Sequence, residues 1–172
     1  MIAGSAAAVL AGLGRRSETL ATAESLTGGL VGSWLASVPG ASASYVGGVI
    51  TYATRLKASL AGVDATTLAE HGPVAAHTAA EMAIGVCRTC QADWGLATTG
   101  VAGPDQQDGH PAGEVYVAVA HPVDGLVRVE ALQLTGDRQA IRDAAATAAL
   151  DLLLLGLEAL AEPATPEPGG QT

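Results

Sequence analysis

The order of short β-prone runs and helical stretches constrains the fold more than any other feature of this sequence. Residues 1–14 are apolar and alanine-rich and predict a first helix. Residues 19–23 are β-prone and run into a turn at residues 24–29, after which a helical stretch extends to about residue 37. Such a strand, turn and helix succession is the basic unit of α/β domains. The chain is therefore predicted to open as helix, strand, helix.

The rest of the chain continues this alternation and closes with a hairpin. Further strands are predicted at residues 45–52, 93–98, 114–120 and 126–134. Further helices are predicted at residues 54–60 and 75–90 and after residue 137. Because helices flank both the early and the late strands, the pattern predicts a three-layer α/β/α sandwich with a mixed, mainly parallel sheet.

Length and composition place these elements in one domain. The chain has 172 residues, which suits one ordinary domain. Residues 1–161 are predicted to form that domain, and residues 162–172 are predicted to be a disordered tail, since they include three prolines and two glycines. Alanine and glycine supply 58 residues and phenylalanine none, so the core is predicted to depend on close backbone packing and small aliphatic side chains.

The charge balance excludes two classes of partner. The formal net charge is −9, whereas nucleic acids and anionic membranes bind basic surfaces. No segment is typical of an export signal or a membrane span. Arg15 and Arg16 follow the apolar start instead of preceding it, and the apolar residues 150–160 are too short and contain Asp151 and Glu158. We therefore expect a cytoplasmic protein without nucleic-acid or membrane partners.

Cysteine and histidine do not suggest a metal or a cofactor. Cys87 and Cys90 have the spacing of a redox pair or half a zinc site, but no second ligand pair follows. The four histidines share no metal-binding spacing. No metal and no cofactor are predicted, and a redox function of the two cysteines is kept as a weak alternative.

The turn at residues 24–29 is the first candidate site. Ser25 lies where a strand meets a helix, and Thr27, Gly28 and Gly29 follow it. A serine in such a turn can be a nucleophile beside backbone N–H groups that stabilise an oxyanion. Alternatively, Ser25 or Thr27 is only the N-cap of the helix. From these residues alone the capping role is the better interpretation.

Lys57 and Tyr52 form the second candidate. Lys57 is the only lysine in the chain, and the other seven basic residues are arginines. A lysine that loses its proton in an apolar site can activate a serine, whereas an arginine cannot. Tyr52 lies at the end of the predicted strand and could relay that proton. A surface lysine and a tyrosine that merely closes the sheet explain the same residues equally well.

Two later stretches could contact a ligand. Thr99, Gly100 and Gly103 begin a long loop after a predicted strand, which is where α/β sheets usually bind ligands. Arg138 and Arg142 lie one turn apart at the start of the last helix, where a pair of arginines can hold a phosphate. A solvated helix face explains Arg138 as well as phosphate binding does.

Together these stretches resemble the CinA C-terminal domain family, the nicotinamide-nucleotide amidohydrolases, over residues 5–160. The resemblance is carried by the order and spacing of short motifs: Thr22-Ala23-Glu24-Ser25 with Thr27-Gly28-Gly29, Val38-Pro39-Gly40, Thr51-Tyr52 with Lys57, His71-Gly72, Thr99-Gly100-Val101-Ala102-Gly103-Pro104, Gly113-Glu114-Val115-Tyr116 and Gly136-Asp137-Arg138 with Ile141-Arg142. The sequence departs from the family pattern at Leu26, where a cysteine is common, and at residues 105–109, where glycines are usual. Longer members carry an additional N-terminal domain, so the resemblance implies a stand-alone form.

The resemblance implies an activity and a set of roles. The family converts nicotinamide mononucleotide to nicotinate mononucleotide and ammonia, with no cofactor. By resemblance Ser25 is the nucleophile, Lys57 and Tyr52 are its base and relay, and Arg142 binds the ribose phosphate. The other expected substrate contacts are Thr27, Gly28, Gly29, Thr99, Gly100 and Gly103. The alternative is a non-catalytic nucleotide-binding or competence-related regulatory domain that uses the same pocket. A homo-oligomer, most simply a dimer, is expected.

Overall fold

A computed structural model of the chain describes residues 2–161. The helices are α1 (Ile2–Arg16), α2 (Leu30–Ala36), α3 (Thr54–Ser59), α4 (Ala65–His71), α5 (Ala76–Cys90) and α6 (Arg138–Ala161). The strands are β1 (Leu20–Glu24), β2 (Tyr45–Ile50), β3 (Trp94–Gly100), β4 (Glu114–His121) and β5 (Leu126–Gln133). All the predicted helices and strands are present within a few residues of their expected bounds. The predicted disordered tail, residues 162–172, lies outside the described residues.

The five strands form one mixed sheet in the order β2-β1-β3-β4-β5. β1 pairs in parallel with β2 and β3, whereas β4 pairs antiparallel with β3 and β5. Four strands therefore run in one direction, but only two of the four neighbouring pairs are parallel. The shared direction of four strands agrees with the expected mainly parallel sheet, but half of the neighbouring pairs are antiparallel. One reason is that the short β4–β5 connection allows only antiparallel pairing.

Helices cover both faces of the sheet, which gives the predicted three layers. α1, α2 and α6 cover one face, where larger side chains such as Trp94 and Leu96 are buried. α5 covers the other face. The buried strand residues on the α5 side are small: Ala21, Ala23, Ala97, Ala118 and Ala120. The unusual alanine content of the chain is thus concentrated where one helix lies flat on the sheet.

Glycines allow α5 to contact its neighbours through the backbone. A Cβ on Gly95 of β3 would overlap the carbonyl oxygen of Ala83 on α5, and a Cβ on Gly85 would overlap the carbonyl oxygen of Ala61. The backbones therefore approach more closely than any side chain permits. Gly48 has the same property on β2, where a Cβ would overlap Thr22. β2 also has a register shift at its start, where it pairs with Leu20 and Ala21 of β1.

The structure contains one helix that the sequence did not predict, and one helix that extends well beyond the apolar residues 150–160 considered above. α4 (Ala65–His71) was not predicted, since its residues lack an apolar stripe and none of them is buried. α6 is the one helix of residues 2–161 that is long and apolar enough, by length and composition, to cross a membrane, with a mean hydropathy of 1.7 in its most apolar window. Of that window, 44% is buried inside the fold, where α6 packs against α1 and β4. Its buried residues, among them Ile141, Leu150 and Leu153, belong to the core of the domain.

The contact between α5 and β3 gives a direct test of this packing. We expect Gly95→Ala to lower the free energy of unfolding by about 1–3 kcal/mol, because the new methyl group forces α5 away from the sheet. Gly14→Ala is the matched control: it lies in α1 with nothing within 4 Å of an added Cβ, and it should raise stability by roughly 0.5–1 kcal/mol. Urea denaturation measures both. Equal midpoints for the two variants would contradict the close approach.

Candidate active site

Ser25 lies in the tight turn that joins β1 to α2, at the carboxyl end of the strand. Its main-chain N–H donates to the carbonyl oxygen of Thr98 on β3, at 3.0 Å, so the turn is fixed to the neighbouring strand. Gly28 and Gly29 continue the turn with φ of 60° and 96°, a left-handed conformation that costs glycine little. The Ser25 side chain is 7% exposed and lines a cleft.

Lys57 reaches Ser25 from α3. Its Nζ lies 2.8 Å from the Oγ of Ser25 and donates to the carbonyl oxygen of Thr51 at 3.0 Å. The side chain is 2% exposed, so the only lysine of the chain is a core residue and not a surface one. The structure therefore brings together two residues that are 32 positions apart in the sequence, in the arrangement of a nucleophile and its base.

The surroundings of Lys57 favour its neutral form. Burial lowers the pKa of Lys57 from the ordinary lysine range to about 8, because the ammonium group loses its hydration. The two hydrogen-bond partners of Nζ, a hydroxyl and a carbonyl, carry no formal charge. Near neutral pH a fraction of the protein therefore holds a neutral amine beside the serine hydroxyl.

Tyr52 occupies a different place from the one expected. Its side chain is 59% exposed and lies at the mouth of the cleft. Its hydroxyl accepts a hydrogen bond from Nη2 of Arg138 at 2.7 Å, and it makes no hydrogen bond with Ser25 or Lys57. The expected relay between Tyr52 and Lys57 is therefore absent from the described residues, since Lys57 approaches the serine from inside the fold.

Glu24 was not given a role by the sequence analysis, although it controls the start of α2. Its carboxylate is 1% exposed and accepts hydrogen bonds from three main-chain N–H groups, those of Gly29, Val31 and Gly32. No side chain caps the helix from the usual position, so the N-cap role considered for Ser25 and Thr27 is wrong. The sequence contains a signal for this role, because an acidic residue just before a predicted helix start can accept hydrogen bonds from the first N–H groups of the helix.

This cap changes where an oxyanion can bind. The N–H of Gly29 donates to Glu24, and the N–H of Gly28 donates to the carbonyl oxygen of Ser25. These two glycines, expected as substrate contacts, therefore shape the turn and do not offer free donors. The N–H groups of Leu26 and Thr27 make no hydrogen bond within residues 2–161, and Leu26 lines the cleft.

The hydroxyl groups of the two threonines expected to contact substrate have partners inside the fold. The Oγ1 of Thr27 lies 2.8 Å from the Oγ1 of Thr98, and both side chains are fully buried. Thr99 is also fully buried, and its hydroxyl donates to the carbonyl oxygen of Pro73 at 2.6 Å. Neither side chain reaches the cleft, so a substrate contact through either hydroxyl is not supported, whereas the main-chain N–H of Thr27 keeps no partner within residues 2–161. Gly100 and Gly103 do line the cleft, as expected.

Arg142 braces the serine turn instead of facing the cleft. Its Nε donates to the carbonyl oxygen of Leu26 at 3.1 Å, and its Nη2 donates to that of Thr27 at 2.7 Å. The third nitrogen, Nη1, contacts the side chain of Gln139. Because all three nitrogens already have partners, the expected phosphate contact at Arg142 is not supported. By holding these two carbonyls, Arg142 also fixes the orientation of the turn.

The cleft itself lies between the serine turn and the long loop that follows β3. It has a volume of about 240 Å³ and is lined by Ser25, Leu26, Tyr52, residues 100–107 and Arg138. Arg138 spans its mouth, because Nη1 donates to the carbonyl oxygen of Gly103 at 2.6 Å and Nη2 donates to Tyr52. Arg138 is thus the arginine of α6 that faces the cleft, four residues before the one that was expected.

The remaining candidate chemistry is not supported. Burial raises the pKa of Cys87 to about 12 and also raises that of Cys90, so neither thiol is readily ionised for redox chemistry. Both cysteines are free. Across residues 2–161 no three His, Cys, Asp or Glu side chains are grouped as metal ligands.

The fold and the site define an α/β/α domain with a buried serine–lysine pair at the end of a parallel strand. The sequence model of the CinA C-terminal domain matches residues 3–157. The chain is 51% identical over 145 residues to a CinA-like protein of Frankia casuarinae, which covers 84% of this chain. It is 45% identical over 134 residues, or 78% of this chain, to a putative competence-damage inducible protein of Desulforamulus reducens. The chain therefore belongs to the CinA C-terminal domain family.

Solved structures agree with this assignment. The CinA superfamily protein KP700603 of Klebsiella pneumoniae superposes with a TM-score of 0.87 at 32% identity, over 92% of this chain and 99% of that one. The competence/damage inducible protein CihA of Agrobacterium tumefaciens gives a TM-score of 0.85 at 31% identity, over 91% and 95%. The chain spans only about a third of the length of the curated relatives, 33% for the Frankia protein and 32% for the Desulforamulus protein.

The lowered pKa of Lys57 predicts how stability depends on pH. Between pH 8 and the ordinary lysine pKa, the unfolded chain binds more protons at this site than the folded one, so raising the pH favours folding. Relative to Lys57→Met, whose side chain cannot titrate, the wild-type free energy of unfolding should rise by about 2–3 kcal/mol between pH 6 and pH 10. Urea denaturation across that range measures the difference. A constant difference would mean that the pKa of Lys57 is unchanged by folding.

Proposed function

We propose that this domain hydrolyses the carboxamide of nicotinamide mononucleotide to nicotinate mononucleotide and ammonia. The observation that carries the proposal is the 2.8 Å contact between Nζ of Lys57 and Oγ of Ser25 at the edge of an open cleft. A binding module has no need of a buried lysine whose pKa is lowered to about 8. An amide hydrolase does, because a serine hydroxyl requires a base before it can attack a carbonyl carbon.

In the proposed mechanism Lys57 is the only base. Its neutral amine takes the proton of Ser25 as Oγ attacks the carboxamide carbon. The resulting ammonium then gives that proton to the departing nitrogen, which leaves as ammonia. Water hydrolyses the acyl-enzyme in the same way, with Lys57 accepting and returning a proton. Tyr52 stays at the mouth of the cleft, where its exposed ring can contact the nicotinamide.

The oxyanion is assigned to the main chain beside the nucleophile. The N–H groups of Leu26 and Thr27 follow Ser25 directly and make no hydrogen bond within residues 2–161. In α/β-hydrolases the N–H of the residue after the nucleophile has this function. The carbonyl groups of the same two residues are held by Arg142, which keeps the peptide units in one orientation. Arg142 is therefore a positioning residue.

The phosphate of the mononucleotide is assigned to Arg138. This residue is exposed at the cleft, and its two contacts, the carbonyl oxygen of Gly103 and the hydroxyl of Tyr52, are uncharged. A phosphate can therefore form a charge-assisted hydrogen bond with it. Asp105 also lines the cleft and repels an anion placed beside it, so the phosphate is expected on the Arg138 side.

A non-catalytic nucleotide-binding domain is the second candidate. The named relatives support it to the extent that they are called CinA-like or competence-damage inducible proteins and not amidases. Such a domain would use the same cleft and Arg138, but it would leave the Ser25–Lys57 pair without a purpose. A cytoplasmic location is proposed for either function, because nucleotides are cytoplasmic metabolites and both cysteines are free.

Ammonia release from nicotinamide mononucleotide tests the proposal. The wild-type chain should release ammonia at a rate that rises with pH through an ionisation near 8, the pKa of Lys57. Ser25→Ala should lower kcat by roughly 10³-fold or more, since the nucleophile is lost, and Lys57→Arg should be similarly inactive because an arginine cannot act as the base. Ser33→Ala, an exposed serine on α2, is the control and should keep full activity.

Three results would count against this mechanism. Tight binding of the mononucleotide without ammonia release would favour the non-catalytic function. A Ser25→Ala variant that keeps more than about a tenth of the rate would exclude Ser25 as nucleophile, since the barrier would have changed by less than about 1.4 kcal/mol. An active Lys57→Arg variant would make the residue a fixed charge and not a base.

The roles of the two α6 arginines are separable with a second substrate. Arg138→Ala should raise KM for the mononucleotide by roughly 10- to 100-fold, which corresponds to the loss of one charged hydrogen bond. It should leave KM for nicotinamide riboside, which lacks the phosphate, unchanged. Arg142→Ala should lower kcat for both substrates, because the turn is loosened. Arg128→Ala, on the exposed strand β5, is the control. Equal effects of Arg138→Ala on both substrates would exclude a phosphate contact.

A further inference from the structure

The cleft beside Ser25 contains two opposite charges that are not paired with each other. Asp105, on the loop after β3, and Arg138, at the start of α6, both line the cleft, and both residues are exposed. The ion pairs within residues 2–161 involve neither of them. A carboxylate and a guanidinium group therefore face one ligand site without neutralising each other.

The main chain on both sides of Asp105 is fixed by hydrogen bonds. Before it, the carbonyl oxygen of Gly103 accepts from Nη1 of Arg138 at 2.6 Å. After it, Gln107 and His110 exchange two main-chain hydrogen bonds of 3.0 and 2.9 Å, which close a tight turn. The residues that flank Asp105 therefore hold its carboxylate at the wall of the cleft.

The position of Asp105 separates it from an ordinary solvated loop acid. Asp108 is such an acid, because it is exposed on the same loop and does not line the cleft. Both residues belong to the segment 105–109, where the family usually has glycines. Since a glycine supplies no charge, the carboxylate of Asp105 is a property of the cleft of this chain and not of the fold.

We propose that Asp105 recognises the positive charge of the nicotinamide ring, so that the cleft selects a ligand with a cationic ring and an anionic phosphate. This inference rests on the proposed function, because nicotinamide mononucleotide is such a ligand: its ring nitrogen carries the ribose and is a pyridinium cation. Arg138 attracts the phosphate, and Asp105 attracts the ring. The reversed orientation brings like charges together, so the two residues also set the direction in which the ligand binds.

The other side chains of the cleft suit the same ligand. The ring of Tyr52 is 59% exposed and lines the cleft, and the face of an aromatic ring attracts a cation. Gln106 and Gln107 also line the cleft, and their uncharged amides can donate to and accept from ribose hydroxyls. A ligand that carries a phosphate but no cationic ring gains nothing from Asp105 and is repelled by it.

Ligand binding to the Ser25→Ala chain tests this inference, because that variant keeps the cleft and lacks the proposed nucleophile. Isothermal titration calorimetry compares nicotinamide mononucleotide with benzamide riboside monophosphate, which has the same carboxamide, ribose and phosphate but an uncharged benzene ring. The mononucleotide should bind about 5-fold more tightly, which is the upper end of the range for an exposed ion pair. Adding Asp105→Asn should weaken binding of the mononucleotide by about 5-fold and should not weaken binding of the uncharged analogue.

Asp108→Asn is the matched control, since it removes the same charge from the same loop outside the cleft, and it should change neither affinity. Four results would each overturn the inference: equal affinities for the two ligands, an equal loss for both on Asp105→Asn, an effect of Asp108→Asn as large as that of Asp105→Asn, or no binding of either ligand. Ammonia release by the wild type is scored separately. Release without a preference for the charged ring would remove this inference and leave the proposed reaction, and the reverse result would remove only the reaction.

Discussion

The carboxylate of Glu24 is the interaction on which the site depends. It is buried at the end of β1 and accepts the first free N–H groups of α2, so one side chain joins the strand to the helix that follows it. Burying a carboxylate is costly unless it is fully hydrogen-bonded, and three main-chain donors provide that compensation. The turn between these two elements carries Ser25, and its path is therefore set by the contact between Glu24 and the helix.

The second constraint is the burial of Lys57. An amine removed from water favours its neutral form, which is the form that a base requires. The same burial places Nζ between Ser25 and the carbonyl oxygen of Thr51. Burial therefore explains both the position of the Lys57 amine and its lowered pKa. Arg142 acts on the other side of the turn, where it holds the carbonyl groups of Leu26 and Thr27. The Ser25 hydroxyl and the N–H groups of Leu26 and Thr27 are thus oriented by residues that do not line the cleft.

Much of this arrangement could be predicted from the sequence, and the misses have physical reasons. The period of apolar residues identified the long helices, and the short connection before residue 126 identified the hairpin. Lys57 was singled out because it is the only lysine, and the structure places it against Ser25. The two arginines of α6 could not be separated by sequence, since both lie on one helical face. Only the fold shows that Arg142 is occupied by the serine turn whereas Arg138 is at the cleft. The role of Glu24 is hard to predict because its partners are main-chain N–H groups, which every residue type except proline provides.

The backbone contact between α5 and β3 has a consequence for how the domain can change. In most cores a larger side chain on one element can be offset by a smaller one on its neighbour. No such compensation is possible at Gly95. Its neighbour is the main-chain carbonyl oxygen of Ala83, which no substitution can make smaller. A larger residue at Gly95 therefore cannot be rescued by a second, compensating substitution on α5. The exposed residues 104–109 of the loop that follows the same strand are outside the packed layer, so substitutions are easier at the rim of the cleft than in the layer beneath it.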